Sequence, residues 1–161
     1  MSYTSQDIRL FAYLIKSNDI SMDVARHWCF EQYALDDIPT WIYDITIDSS
    51  KDEFLELLKV HYDVDGTIDF EFEVGSYCQW YKNDGFSLYA LIQNLLVFIG
   101  KSEFSDEELM LLEKSEALFK ENKNAVVEVL PMIQDFIDAY AVLYQNRLSH
   151  FKGNIGLKTL K

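Results

Sequence analysis

The chain of 161 residues is poor in the residues that break or staple a fold, with two prolines, six glycines and two cysteines. Few prolines and glycines leave few turns, so the elements between them should be long. Two cysteines, Cys29 and Cys78, cannot form a disulfide framework. A reduced pair of buried thiols is the expectation, in keeping with a cytoplasmic setting. The opening Met1-Ser-Tyr-Thr-Ser-Gln-Asp7 lacks the basic start and apolar run of a signal peptide. The most apolar stretch, Leu88–Ile99, is 12 residues long and includes Gln93 and Asn94. A membrane span needs ~20, so none is expected. Also missing are a Gly-rich phosphate loop, a dinucleotide fingerprint, a Gly-x-Ser-x-Gly elbow and a His-Glu-x-x-His helix. Their absence removes the usual signs of a nucleotide enzyme or a zinc hydrolase.

Basic residues are scarce too. Lys and Arg number 14 against 27 Asp and Glu, a formal charge of −13. The deficit is uneven. No acid follows Gln145, whereas Asp36–Asp84 holds 13 acids against Lys51, Lys59 and Lys82 alone. Such a field favours basic partners and disfavours nucleic acid. The plain alternative is an acidic surface that only aids solubility. The aromatic share is 15%, enough to supply both a core and an interface.

The rest of the sequence reads as a mostly α, single-domain bundle of six to seven helices with one small β-hairpin near residues 60–74. Residues 1–144 form the acidic helical domain, and 145–161 the end of the last helix plus a basic tail. Thr4 or Ser5 caps a first helix to about Lys16, with Ile8, Phe11, Ala12 and Ile15 on one face. Ser21 caps a second, with Val24, Ala25, Trp28 and Cys29 inward, ending near Ala34. Pro39 suits the first turn of a short helix with Trp41, Ile42 and Ile45. Ser49-Ser50 opens another through Phe54, Leu57 and Leu58. A nearly all-apolar helix from Phe86 to Ile99 closes at Gly100. Ser105 and Glu108 make a capping box. The last helix starts near Asn124, and Pro131 within it predicts a kink or a fresh start.

Between these lies a change of period. Ile68, Phe70, Phe72 and Val74 alternate with Asp69, Glu71 and Glu73, just after Asp65-Gly66. Asp-Gly suits a tight turn, so the alternation predicts a strand paired back on Val60–Val64. That first run could equally be the last turns of the preceding helix. The strand would set three carboxylates in a row about 7 Å apart. Gly75–Gly85 reads as irregular.

Catalytic and metal signatures are weak. His27 and Cys29 sit about 200° apart on a helix and cannot share a site. His27, Cys29, His61 and Cys78 have no standard zinc spacing. The stretch from His61 to Phe72 imitates a calcium loop, with Asp63, Asp65 and Asp69 at three side-chain places and Gly66 at the turn. Its first and twelfth places, however, hold His61 and Phe72 instead of carboxylates. No metal or cofactor is expected, and no catalytic residue can be singled out among so many carboxylates.

Acids that steer a basic partner, with aromatic anchors beside them, are the composition of a fast, tight protein interface. The candidate contact residues are Asp44, Asp69, Glu71 and Glu73 with Tyr43, Tyr62, Trp80 and Tyr81. Core packing should claim about half of the aromatics. The segments Ile20-Ser-Met-Asp-Val-Ala25-Arg-His-Trp28 and Asp36-Asp-Ile-Pro-Thr-Trp41, with the acidic hairpin, give a profile that resembles bacterial toxin-immunity proteins, contact-dependent inhibition systems included. The likeness is one of profile and matches no diagnostic motif, so no binding residue is carried over. It implies a non-catalytic inhibitor bound one-to-one to a toxin domain, often a basic nuclease. An acidic scaffold or regulatory adaptor, a nucleic-acid mimic, and an enzyme of unfamiliar site using His27, His61 or His150 stand as alternatives.

Overall fold

The computed structural model describes residues 5–33, 40–45, 48–62, 68–100, 103–154 and 156. The chain divides into two compact units, Met1–Ile68 with Phe151–Lys161, and Asp69–His150.

In the first unit α1 spans Ser5–Lys16 and buries Ile8, Phe11, Ala12, Leu14 and Ile15. It stops at Asn18, whose φ of 65° is the left-handed conformation common just past a helix end. The Lys51 ammonium closes that end, donating to Lys16 O at 3.0 Å and to Asn18 Oδ1 at 2.8 Å. Helix α2 (Met22–Gln32) begins where Ser21 Oγ accepts the Val24 N–H, and it buries Ala25, Trp28 and Cys29. A 3-10 turn, Thr40–Asp44, pushes Trp41 and Ile42 inward. Helix α3 (Lys51–His61) opens with a reciprocal cap. Ser50 Oγ accepts from the Glu53 N–H, and Glu53 Oε2 accepts from the Ser50 N–H at 2.7 Å. Aromatic rings fill the core. Phe11 meets Trp28 at 4.9 Å, Phe54 at 5.8 Å and Phe151 at 6.4 Å between centroids.

The second unit contains α4 (Phe70–Lys82), α5 (Leu88–Asn94) with a π-turn continuing it over Leu95–Ile99, α6 (Asp106–Glu121) and most of α7 (Val126–Asn154). Gly100, at φ 91°, ends the π-turn as expected of a glycine there. Val74, Cys78, Leu91, Leu95, Leu112 and Ile133 lie in one core cluster. The Ser105–Glu108 box forms, and the free oxygen of Glu108 accepts a 2.6 Å bond from the Tyr140 hydroxyl. That hydroxyl's pKa is raised by burial and then by Glu108. Helix α7 runs through Pro131 as one element, so of the kink or fresh start expected there the fresh start does not occur.

The predicted β-hairpin is absent: among the described residues every element is helical. Val60 belongs to α3, and the alternating run from Phe70 to Val74 is the first turn of α4, whereas Asp65-Gly66 lies outside the described residues. The physical reason is local. Asp69 caps the helix by accepting the Glu71 N–H at 3.1 Å, and Glu71 and Glu73 complement the dipole in the first turn. The apolar residues are then buried on more than one side. Phe70 packs on Phe104 and Tyr140, and Phe72 on Tyr144. Gly75–Lys82, expected to be irregular, continues the same helix. No helix among the described residues is long and apolar enough to cross a membrane.

Candidate functional site

Helix α2 turns its apolar stripe inward, and this leaves two aromatics off the stripe at i and i+3. Phe30 is 38% exposed, and Tyr33, at the end of the helix, is 41% exposed. Tyr43, on the 3-10 turn, is 56% exposed. The three make a ladder. Phe30 and Tyr33 are nearly parallel (16°) with centroids 6.2 Å apart, and Tyr43 tilts against Tyr33 at 5.4 Å. The Tyr33 hydroxyl donates to Ile42 O at 3.3 Å, tying the helix end to the turn that carries Tyr43. Below that turn Trp41 is held by Tyr62, whose hydroxyl accepts the Trp41 indole N–H at 3.0 Å.

Asp44 follows Tyr43 and lines an open cleft of about 430 Å³ with Ser49, Glu53, Glu56, Leu57 and Val60. Three carboxylates ring it, and Val60, 74% exposed, forms an apolar edge. Three basic side chains lie near it: Lys51 is spent on the end of α1, Lys59 pairs with Glu56 at 3.5 Å, and Arg26 donates to Ser49 O at 2.6 Å. The ladder supplies ring faces and the cleft carboxylates, joined at the Tyr43–Asp44 step of the chain.

The expected contact residues divide between the units. Tyr43, Tyr62 and Asp44 belong to the first, and Asp69, Glu71, Glu73, Trp80 and Tyr81 to the second. Tyr43 and Asp44 are consecutive on the 3-10 turn and both exposed. Tyr62 is half-buried and supports Trp41. The row of three carboxylates along a strand does not form, because those residues wind into α4. Arg147 pairs with both Asp69 and Glu71, the latter at 3.1 Å. Burial raises the Glu73 carboxyl above its ordinary range. Trp80 is 57% exposed and packs on Phe86 at 4.6 Å, whereas Tyr81 lies partly buried against the second core. Phe30 and Tyr33 were missed from sequence. The available signal was a pair of aromatics at helical spacing outside the apolar stripe.

Elsewhere the chemistry is muted. Cys29 and Cys78 are free and buried, and burial pushes both thiols up to about 12, so they stay protonated. His27 pairs with Glu31 on the surface of α2 at 3.3 Å. Among the described residues no group of three or more His, Cys, Asp or Glu could hold a metal ion. Comparison with protein-family models, curated proteins and solved structures gives no match.

Proposed function

We propose that this chain is a protein-binding module that captures a cationic partner protein on the face formed by the aromatic ladder and the acidic cleft of its first unit. In its specific form the reading is an immunity-type inhibitor that covers a basic toxin domain. One observation carries it: the ladder of exposed rings (Phe30, Tyr33, Tyr43) ends one residue before Asp44, which with Glu53 and Glu56 lines an open cleft. Rings held in place lose little entropy when covered, and carboxylates at the rim raise the encounter rate with a cation.

The test uses the proteins encoded by the genes adjoining this one, each purified and mixed with the full chain. The expected result is one-to-one binding to a basic domain. Its association rate should fall at least about tenfold between ~50 mM and ~500 mM salt. The double variant Asp44→Lys, Glu56→Lys should slow association by a similar factor and leave the far-UV spectrum unchanged. An association rate indifferent to both salt and charge reversal would count against the reading and favour an adaptor whose acidity is incidental.

A further inference from the structure

The ladder has a chemical preference that the cleft alone would not impose. An acidic cleft attracts lysine and arginine alike, because at the rim both act as point charges. Exposed aromatic faces separate them. A guanidinium is planar and weakly hydrated and stacks on a ring, whereas an ammonium is compact and holds its water. In this chain three exposed rings lie within 6.2 Å of their neighbours, and the tie from Tyr33 to Ile42 O fixes the helix end against the turn. Asp44 follows Tyr43 on the same 3-10 turn and is exposed, so a carboxylate is available close to the rings. The nearby bases are engaged elsewhere, Lys51 at the end of α1 and Arg26 on Ser49 O and Asp23.

We infer that Phe30, Tyr33 and Tyr43, with Asp44 as counter-charge, form an arginine-selective docking surface, so that the partner presents an arginine and not a lysine at this point. The inference rests on the proposed reading of this face as the site for a cationic partner, and it adds the identity of the contacting side chain. The rings supply the preference and the carboxylates supply the attraction, so the two are separable by mutation.

The test titrates the full chain with nona-arginine and with nona-lysine by calorimetry at low salt. Nona-arginine is expected to bind at least threefold more tightly. Tyr43→Leu keeps apolar bulk and removes the π-face, and together with Tyr33→Leu it should bring the two peptides within threefold of each other. Tyr43→Phe should retain the preference, which guards against a loss caused by misfolding. Asp44→Asn should weaken both peptides and leave their ratio unchanged. A wild-type ratio below threefold, or a preference that survives the double leucine variant, overturns the inference. If the two peptides bind alike and both weaken in Asp44→Asn, arginine selectivity falls while the acidic docking face stands. Binding of neither peptide also overturns the inference, and the proposed function is then decided by the partner-protein measurement.

Discussion

Replacing Gly75 with valine should cost the second unit about 4 kcal/mol, and replacing it with alanine about 2 kcal/mol. Gly75 lies in the middle of α4, where glycine is ordinarily a loss of ~0.5–1 kcal/mol against alanine. It is tolerated because α7 comes that close. A Cβ added at Gly75 would stand 2.5 Å from the Tyr140 carbonyl oxygen and 2.7 Å from Tyr144 Cβ. The nearest obstacle is backbone, so no rotamer change relieves it, and α4 must move away from α7. That movement opens the contacts of Phe70 with Tyr140 and of Phe72 with Tyr144. Gly153 provides the control. Nothing lies within 4 Å of its added Cβ, so Gly153→Ala should be neutral or stabilise by up to ~1 kcal/mol. Urea unfolding followed by far-UV dichroism checks both. A Gly75→Ala variant at least as stable as the parent would show that the helices have room to spare.

Trp41→Ala should be comparably damaging in the first unit, at about 4 kcal/mol, and should also blunt cation binding. Trp41 is 2% exposed and joins three rings: it stacks on Trp28 at 6.3 Å and meets Phe54 and Tyr62 edge-on at 5.9 and 6.1 Å. A five-residue 3-10 turn has few hydrogen bonds of its own, so Thr40–Asp44 keeps its place chiefly through Trp41 and Ile42. Removing the indole leaves a cavity and loosens the turn that presents Tyr43 and Asp44. Trp41→Phe separates the two effects. It keeps most ring contact and gives up the bond to Tyr62, a loss of about 1 kcal/mol, and should leave peptide binding close to the parent's. Thermal unfolding and the same calorimetric titrations measure both consequences. Unchanged binding in a folded Trp41→Ala chain would show that the turn holds itself.

Most helices were legible because their signals are local. Ser21, Ser50 and Ser105 each place a side-chain oxygen against an N–H three residues on, and the apolar stripe of α1 is the one its spacing predicts. Helix α4 was not legible from Ile68–Val74 alone. A helix buried on several sides can put apolar residues at every second position over two turns, so period two and period 3.6 look alike in so short a window. A longer window separates them, because Phe70, Val74, Cys78 and Tyr81 continue as a helical stripe that no strand would need. The division into two units had no linker to announce it. It depends on long-range packing such as Phe151 against Phe11, which spacing does not reveal.

The site was legible in part. Tyr43 and Asp44 stood out as an aromatic beside an acid, and both are exposed. Tyr62 carried the same signal but serves Trp41. Asp69 and Glu71 looked free in sequence because Arg147, their partner, lies more than seventy residues away. Ion pairing of this kind is invisible to local reading. It is the reason the proposed binding surface centres on Tyr43 and not on α4.

The most direct examination of that proposal is a nitrogen-15 NMR titration of the full chain with nona-arginine at low salt. The largest amide changes should gather at Phe30, Glu31, Tyr33, Tyr43 and Asp44 and along the cleft at Glu56 and Val60. Changes spread evenly over Asp106, Glu107, Glu128 and the other surface acids, with none larger around Tyr43, would contradict a dedicated cation-binding face.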